Sequence, residues 1–138
     1  MKNTFVFDAC ALVAFLQNEP GSDIVSDVLY EATNGCAEVY MHKLNLLEVY
    51  YDIFRRFDEA EADNVMSAIT ESEIKIIPDI SDAVLKIAGR YKASYRLSLA
   101  DAIALAETSV RSATIVTSDH HELEEIEKNE QIKFLWIR

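Results

Sequence analysis

The stretch "TFVFDACALVAFLQ", Thr4 to Gln17, decides the fold class. Thr4 to Phe7 reads as a short buried strand, and Ala9 to Gln17 as a helix closed by Pro20-Gly21. Asp8 stands at the join. Outward from this unit the alternation continues. Ser22 to Thr33 predicts a second helix, stopped near Asn34-Gly35, and "AEVYMH" (Ala37 to His42) a strand. His42 to Phe57 predicts a helix whose buried stripe is Leu46, Leu47, Tyr50, Ile53, Phe54 and Phe57. Another helix follows from about Asp58 to Ser72, then a strand at "IKIIP" (Ile74 to Pro78). Ser81 is placed to cap a helix carrying Val84, Leu85, Ile87, Ala88 and Tyr91 on one side. Ser98 to about Arg111 predicts a helix and "TIVTS" (Thr114 to Ser118) a strand. The acidic stretch after it reads as loop or short helix, and "IKFLWI" (Ile132 to Ile137) as the last strand. Short apolar strands alternating with helices predict an α/β fold with a parallel sheet covered on both faces. In such sheets ligands bind beyond the carboxyl ends of the strands.

The length of 138 residues, with no linker or repeat, predicts a single domain over 1–138. Half the residues are hydrophobic and only 3 are Gly, which excludes disordered and fibrous classes. Cys10 and Cys36 form no CxxC pair, against a structural zinc site or disulfide framework and in keeping with a reducing cytoplasm. The apolar run Phe5 to Leu16 is too short to span a bilayer and is broken by Asp8, so a soluble, cytoplasmic protein with no membrane association is expected. The net charge of -11 argues against passive binding to a phosphate backbone, whose affinity comes largely from Lys and Arg. The acids either solvate the surface or converge to hold cations.

Four acids invite the second reading. Asp8 and Asp119 end two strand-like runs, "FVFD" and "IVTSD"; if those strands are parallel neighbours, both carboxylates emerge at one sheet edge. Each is equally well read as a helix N-cap. Asp101 is the one charged residue of "LSLADAIALA" (Leu97 to Ala106), where burial demands a partner, a cation or a proton. Ser98 and Asp101 match a capping box, which explains an acid in the first turn but not the apolar helix around it. Glu48 lies at the margin of its helix's buried stripe, between Leu44 and Tyr51, and is alternatively a salt-bridge partner beside Asp52 and Arg55. Several carboxylates at one edge repel one another unless cations fill the gap. Hard divalent ions take such oxygen ligands and activate water against phosphodiesters, so a metal-dependent phosphodiesterase is the economical reading.

These residues resemble the PIN-domain family, in particular its small VapC-type toxin ribonucleases. The match spans "FVFDACALVAFL", "LNLLEVYY" around Glu48, "LSLADAIALA" and "IVTSDHHEL" around Asp119. The resemblance implies a three-layer α/β/α fold with a central, mostly parallel sheet and a Mg²⁺ or Mn²⁺ site. It also implies an endoribonuclease that hydrolyses RNA with metal-activated water to leave a 5′-phosphate and a 3′-hydroxyl. Asp8, Glu48, Asp101 and Asp119 would be its catalytic acids, with Asp8, Asp101 and Asp119 as metal ligands and Thr117 orienting the site. Cys10 stands where the family often has Ser or Thr, and a thiol is a poor Mg²⁺ ligand. His120 and His121 read as loop residues rather than a ligand pair. The acid-free segment "KIAGRYKASYR" offers Lys86, Arg90, Lys92 and Arg96 as RNA contacts, with Tyr91 and Tyr95 interleaved to stack on unpaired bases; the alternative is a solvated helix face with Tyr91 packed in the core. The family further implies an antitoxin partner, and the aromatic-rich helix ending at Phe57 suits that partner or a homodimer, although core packing also accounts for it. A phosphotransferase using Asp8 as nucleophile would want D-x-D, which Asp8-Ala9-Cys10 does not provide, and the glycines never cluster into a phosphate loop. The alternative is a catalytically inert PIN-like binding module, which metal titration distinguishes.

Overall fold

The computed structural model describes residues 2–138. Five strands, β1 (Asn3–Phe7), β2 (Ala37–His42), β3 (Ile74–Ile77), β4 (Thr114–Thr117) and β5 (Lys133–Trp136), form one sheet in the order β3-β2-β1-β4-β5. Every neighbouring pair is parallel. The helices are α1 (Ala9–Leu16), α2 (Ser22–Thr33), α3 (Lys43–Arg56), α4 (Glu59–Thr70), α5 (Asp82–Ser94), α6 (Leu99–Val110) and α7 (His120–Asn129). Successive strand residues point to opposite faces, so β4 and β5 feed two cores. Val116 packs with α1 to α4, while the preceding Ile115 packs with α5 to α7. The result is a three-layer α/β/α architecture. β1 lies at its centre, paired with β2 on one side and, with Phe7 opposite Val116, with β4 on the other. The carboxyl ends of β1 and β4 therefore share one edge.

Three sequence expectations are corrected. The α3 stripe is rotated: Asn45, Leu46, Val49 and Ile53 face inward. Leu47, Phe54 and Phe57 are instead about half exposed, and Tyr50 is partly buried. The inward line at 46, 49 and 53 is itself a 3–4 helical spacing, so the surplus of apolar residues disguised the phase. On α5 the line Val84, Ala88 and Tyr91 is buried and Leu85 points to solvent. Of the two readings of the acidic stretch after β4, loop or short helix, the helix holds, as α7, because Asp119 caps it and Leu123 and Ile126 are buried beneath it. Two such side chains contribute on the order of 2 kcal/mol each. His120 and His121 thus lie on its first turn rather than in a loop. Among the described residues no helix is long and apolar enough to cross a membrane.

Between α1 and α2 the chain passes so close to the last strand that Gly21, at φ 97°, has no room for a side chain: a Cβ there would come within 2.5 Å of the Ile137 carbonyl. This contact seats the final residues against the start of α2.

Candidate functional site

Asp8 follows β1 directly and is almost wholly buried. Its Oδ1 accepts the Ala11 N–H at 2.9 Å, capping α1, and its Oδ2 accepts the hydroxyl of Thr117 at the end of β4. The same hydroxyl oxygen accepts the Asp119 N–H at 3.0 Å. Thr117 thereby ties the two strand-end aspartates together across the β1–β4 pair. Asp119 in turn caps α7, its Oδ1 accepting the Glu122 N–H at 3.3 Å. Both cap readings hold, and in both the cap faces the shared sheet edge.

Asp101 approaches from α6. Ser98 Oγ accepts the Asp101 N–H at 3.1 Å, so half of the capping box forms. The reciprocal half does not: the Ser98 N–H donates to Glu122 Oε2, at 3.3 Å. Relieved of that duty, the buried Asp101 carboxyl joins Asp119 and Glu122, and one ligand oxygen of each lies within 4.8 Å of the others. Asn45 holds α6 in place, its fully buried Nδ2 donating to the Ala100 carbonyl at 3.1 Å. Neither Glu122 nor Asn45 stood out in the sequence. The only signal for Glu122 was its spacing from Asp119, D-x-x-E, which is a capping pattern.

Glu48 is half buried on α3 and makes no ion pair among the described residues, since Asp52 takes both arginines, Arg55 at 3.6 Å and Arg56 at 3.2 Å. Its carboxyl is raised by burial and by the negative charges of Glu122 and Asp119. Asp8 is pushed up to about 7, chiefly by burial; the Thr117 and Ala11 hydrogen bonds oppose this, while Asp119 and Glu48 add to it. Asp101 is raised by burial, by its hydrogen bond to Glu122 and by Asp8, and Glu122 is correspondingly lowered by accepting that hydrogen bond. The Cys10 thiol goes up to about 12 through burial and then the fields of Asp8, Asp119, Asp101 and Glu48. Asp101, Asp119 and the unpredicted Glu122 therefore converge, with Asp8 and Glu48 near enough to act on them by charge. No Lys or Arg forms an ion pair with any of the five among the described residues.

Such a set suits a hard divalent cation, because the donors are all carboxylate oxygens. Cys10 is held as a thiol, and His120 is engaged with Glu124, the Arg138 carbonyl and the face of Trp136.

The α5 segment is more self-contained than its composition suggests. Arg90 stands 3.3 Å from Glu130, and Lys92 donates to the Leu97 carbonyl at 2.7 Å. Tyr91 is core, as the alternative reading has it, and Tyr95 donates its hydroxyl to Glu130 at 2.6 Å. Lys86 and Arg96 are exposed.

Comparison with known proteins places this geometry. No protein of curated function matches the sequence. Among solved structures, the DNA-bound VapBC of Salmonella typhimurium is similar at a TM-score of 0.72 and 14% identity, covering 100% of both chains. VapBC2 of Rickettsia felis, bound to a promoter DNA fragment, matches at a TM-score of 0.72 and 12% identity over 96% of this chain and 97% of that one. A sarcin-ricin-loop-cleaving VapC toxin of Mycobacterium tuberculosis matches at a TM-score of 0.64 and 11% identity over 86% and 92%. At these identities the likeness is one of fold. The PIN domain family profile matches residues 5–129, nearly the whole chain, with all five acids inside the match. A parallel sheet whose central strand ends in a buried aspartate, facing further acids from α3, α6 and α7, thus belongs to a protein of the PIN domain family.

Proposed function

We propose that the chain is a Mg²⁺- or Mn²⁺-dependent endoribonuclease, the toxin of a toxin–antitoxin pair. The observation that carries this is the convergence of two buried acids, Asp8 and Asp101, with Asp119, Glu122 and Glu48, without a basic side chain paired to any of them. Asp8, Asp101 and Asp119 would hold the ion, with Glu122 completing the set. When bound, a divalent ion polarises a phosphoryl oxygen, lowers the pKa of water and stabilises the leaving oxygen. The protein's own contribution is placement. Thr117 fixes the Asp8 carboxylate and the Asp119 backbone with one hydroxyl. Asp8 and Asp101 would hold the ion as ionised carboxylates, because ligand oxygens must be deprotonated. Glu48, half exposed at the rim, orients the attacking water or receives its proton, leaving a 5′-phosphate and a 3′-hydroxyl. Lys86, Arg90, Lys92 and Arg96 are proposed as outer RNA contacts. A cytoplasmic location, an antitoxin partner and a homodimer belong to the same reading. The half-exposed Leu47, Phe54 and Phe57 give a second chain an apolar face on and just beyond α3.

The test is cleavage of total RNA by the purified protein with the product ends mapped. Cleavage that needs Mg²⁺ or Mn²⁺, is abolished by EDTA, and falls on the order of 10²–10³-fold in Asp101→Asn is expected. Full activity in that variant, or no Mn²⁺ binding by calorimetry, overturns the reading; the latter leaves an inert PIN-like module.

A further inference from the structure

A groove of about 350 Å³ opens beside the acids, between α1 and α3. Cys10 and Glu48 line its end at the site, and Tyr51, Arg55, Arg56 and Arg138 line the remainder. From these observations, and resting on the nuclease reading above, we propose that this groove seats the nucleotide next to the cleaved phosphate of single-stranded RNA. Tyr51 and Arg55 would take the base, and Arg138 and Arg56 a flanking phosphate.

Chemistry and placement both support this. The volume is that of a pocket for one small ligand, which fits one splayed nucleotide and not a duplex, whose recognition runs across broad grooves. The Arg55 guanidinium stands 5.6 Å from the centre of the half-exposed Tyr51 ring. An exposed aromatic face beside a guanidinium plane is a stacking site for an unpaired base of any identity. Arg138 is anchored by donating to the Pro20 carbonyl at 3.0 Å and by Glu19 at 3.5 Å, and Arg56 by Asp52 at 3.2 Å. Each guanidinium carries five N–H donors, so these anchors hold the arginines in place and leave donors for phosphate oxygens. Arg55 is freer still, with 73% of its side chain exposed and its nearest carboxylate 3.6 Å away. In a chain of net charge -11, the groove lining balances three arginines against Glu19, Glu48 and Asp52. Glu48 and Arg55 lie two helical turns apart, about 10 Å, so a chain entering at the acids reaches the arginines within a short span.

The test is steady-state cleavage of a single-stranded oligoribonucleotide by the full-length protein, with Mn²⁺ affinity measured separately by calorimetry. Arg55→Gln with Arg138→Gln should raise KM at least 10-fold. The salt dependence of log KM should flatten by about 0.7, as for the one single-strand phosphate contact that Arg138 would lose. The Mn²⁺ isotherm should overlay that of the parent. Should the double variant lose its folded circular dichroism, Tyr51→Ala, which breaks no ion pair, should raise KM by itself. An active parent whose variants keep KM and salt slope overturns the groove assignment alone. A parent that neither binds Mn²⁺ nor cleaves overturns the nuclease reading and the groove with it. Variants with unchanged RNA kinetics that lose a purified protein partner make the groove a protein-docking surface, which also overturns the assignment.

Discussion

Helix α6 buries two acids, one and a half turns apart, and treats them in opposite ways. Glu107 is 2% exposed and has a guanidinium beside it, Arg111 Nε at 3.3 Å, with the His42 ring at 3.8 Å. Arg111 is itself backed by the Tyr40 ring at 4.2 Å. Asp101 is 9% exposed, and its neighbours are Glu122, Asp8 and Asp119. The same helix thus has the means to compensate a buried carboxylate with a side chain and uses them only at its far end. A buried charge without a partner is costly enough that the group takes up a proton or a cation instead. Around Glu107 the neutralising charge is built in; around Asp101 it has to come from outside the chain.

Substitution at the two places should therefore act on different observables. The largest effect expected is at the site, where Asp101→Asn removes cleavage without lowering the melting temperature of the metal-free protein at pH 8. A marked loss of stability would make Asp101 structural, like Glu107, and erase the contrast. Arg111→Ala should do the reverse, lowering stability by about 2–3 kcal/mol by leaving Glu107 buried without its guanidinium, with Mn²⁺ affinity unchanged in calorimetry.

The next effect is a dependence on pH. The folded pKa of Asp8 is raised to about 7, whereas an unfolded aspartate titrates near 4. Between those values the folded chain binds the extra proton, so stability falls as pH rises from about 4 to about 7. The metal-free protein should melt several degrees lower at pH 8 than at pH 5, and Mn²⁺ should raise the melting temperature more at pH 8. Melting temperatures that climb with pH in EDTA contradict this. Smallest of all is the pair between the exposed Arg90 of α5 and Glu130 at the end of α7: Arg90→Ala, which leaves Glu130 its hydrogen bond from Tyr95, should cost under about 1 kcal/mol in a denaturant titration.

Much of this was legible in the sequence, for identifiable reasons. Runs such as "TFVF" and "TIVTS" are apolar throughout, as strands buried on both faces must be, and their terminal aspartates fall where parallel pairing puts them together. Asp101 was conspicuous because its helix offered it no polar company. Glu122 was not, because it begins a stretch with Glu124, Glu125, Glu127 and Glu130 in which nothing marks one acid from another. The Ser98 N–H and the Asp101 carboxyl, both from another helix, single it out. The α3 stripe failed for the opposite reason, an excess of apolar residues at Leu47, Phe54 and Phe57. Of the groove arginines, Arg138 is remote along the chain from Arg55 and Arg56, so its proximity to them exists only in three dimensions. The contiguous bases of α5 were easy to see, yet Arg90 and Lys92 already have partners within the fold.

The hydroxyl of Thr117 meets a carboxylate 109 positions earlier in the chain, and β1 acquires its β4 neighbour only at that same point. During synthesis the first strand must therefore wait, and a nascent polypeptide still short of Asp119 lacks part of the ligand set. On the nuclease reading, an emerging chain stays harmless to the ribosome and message that are making it until the segment carrying Asp119 and Glu122 has been made and has paired with β1.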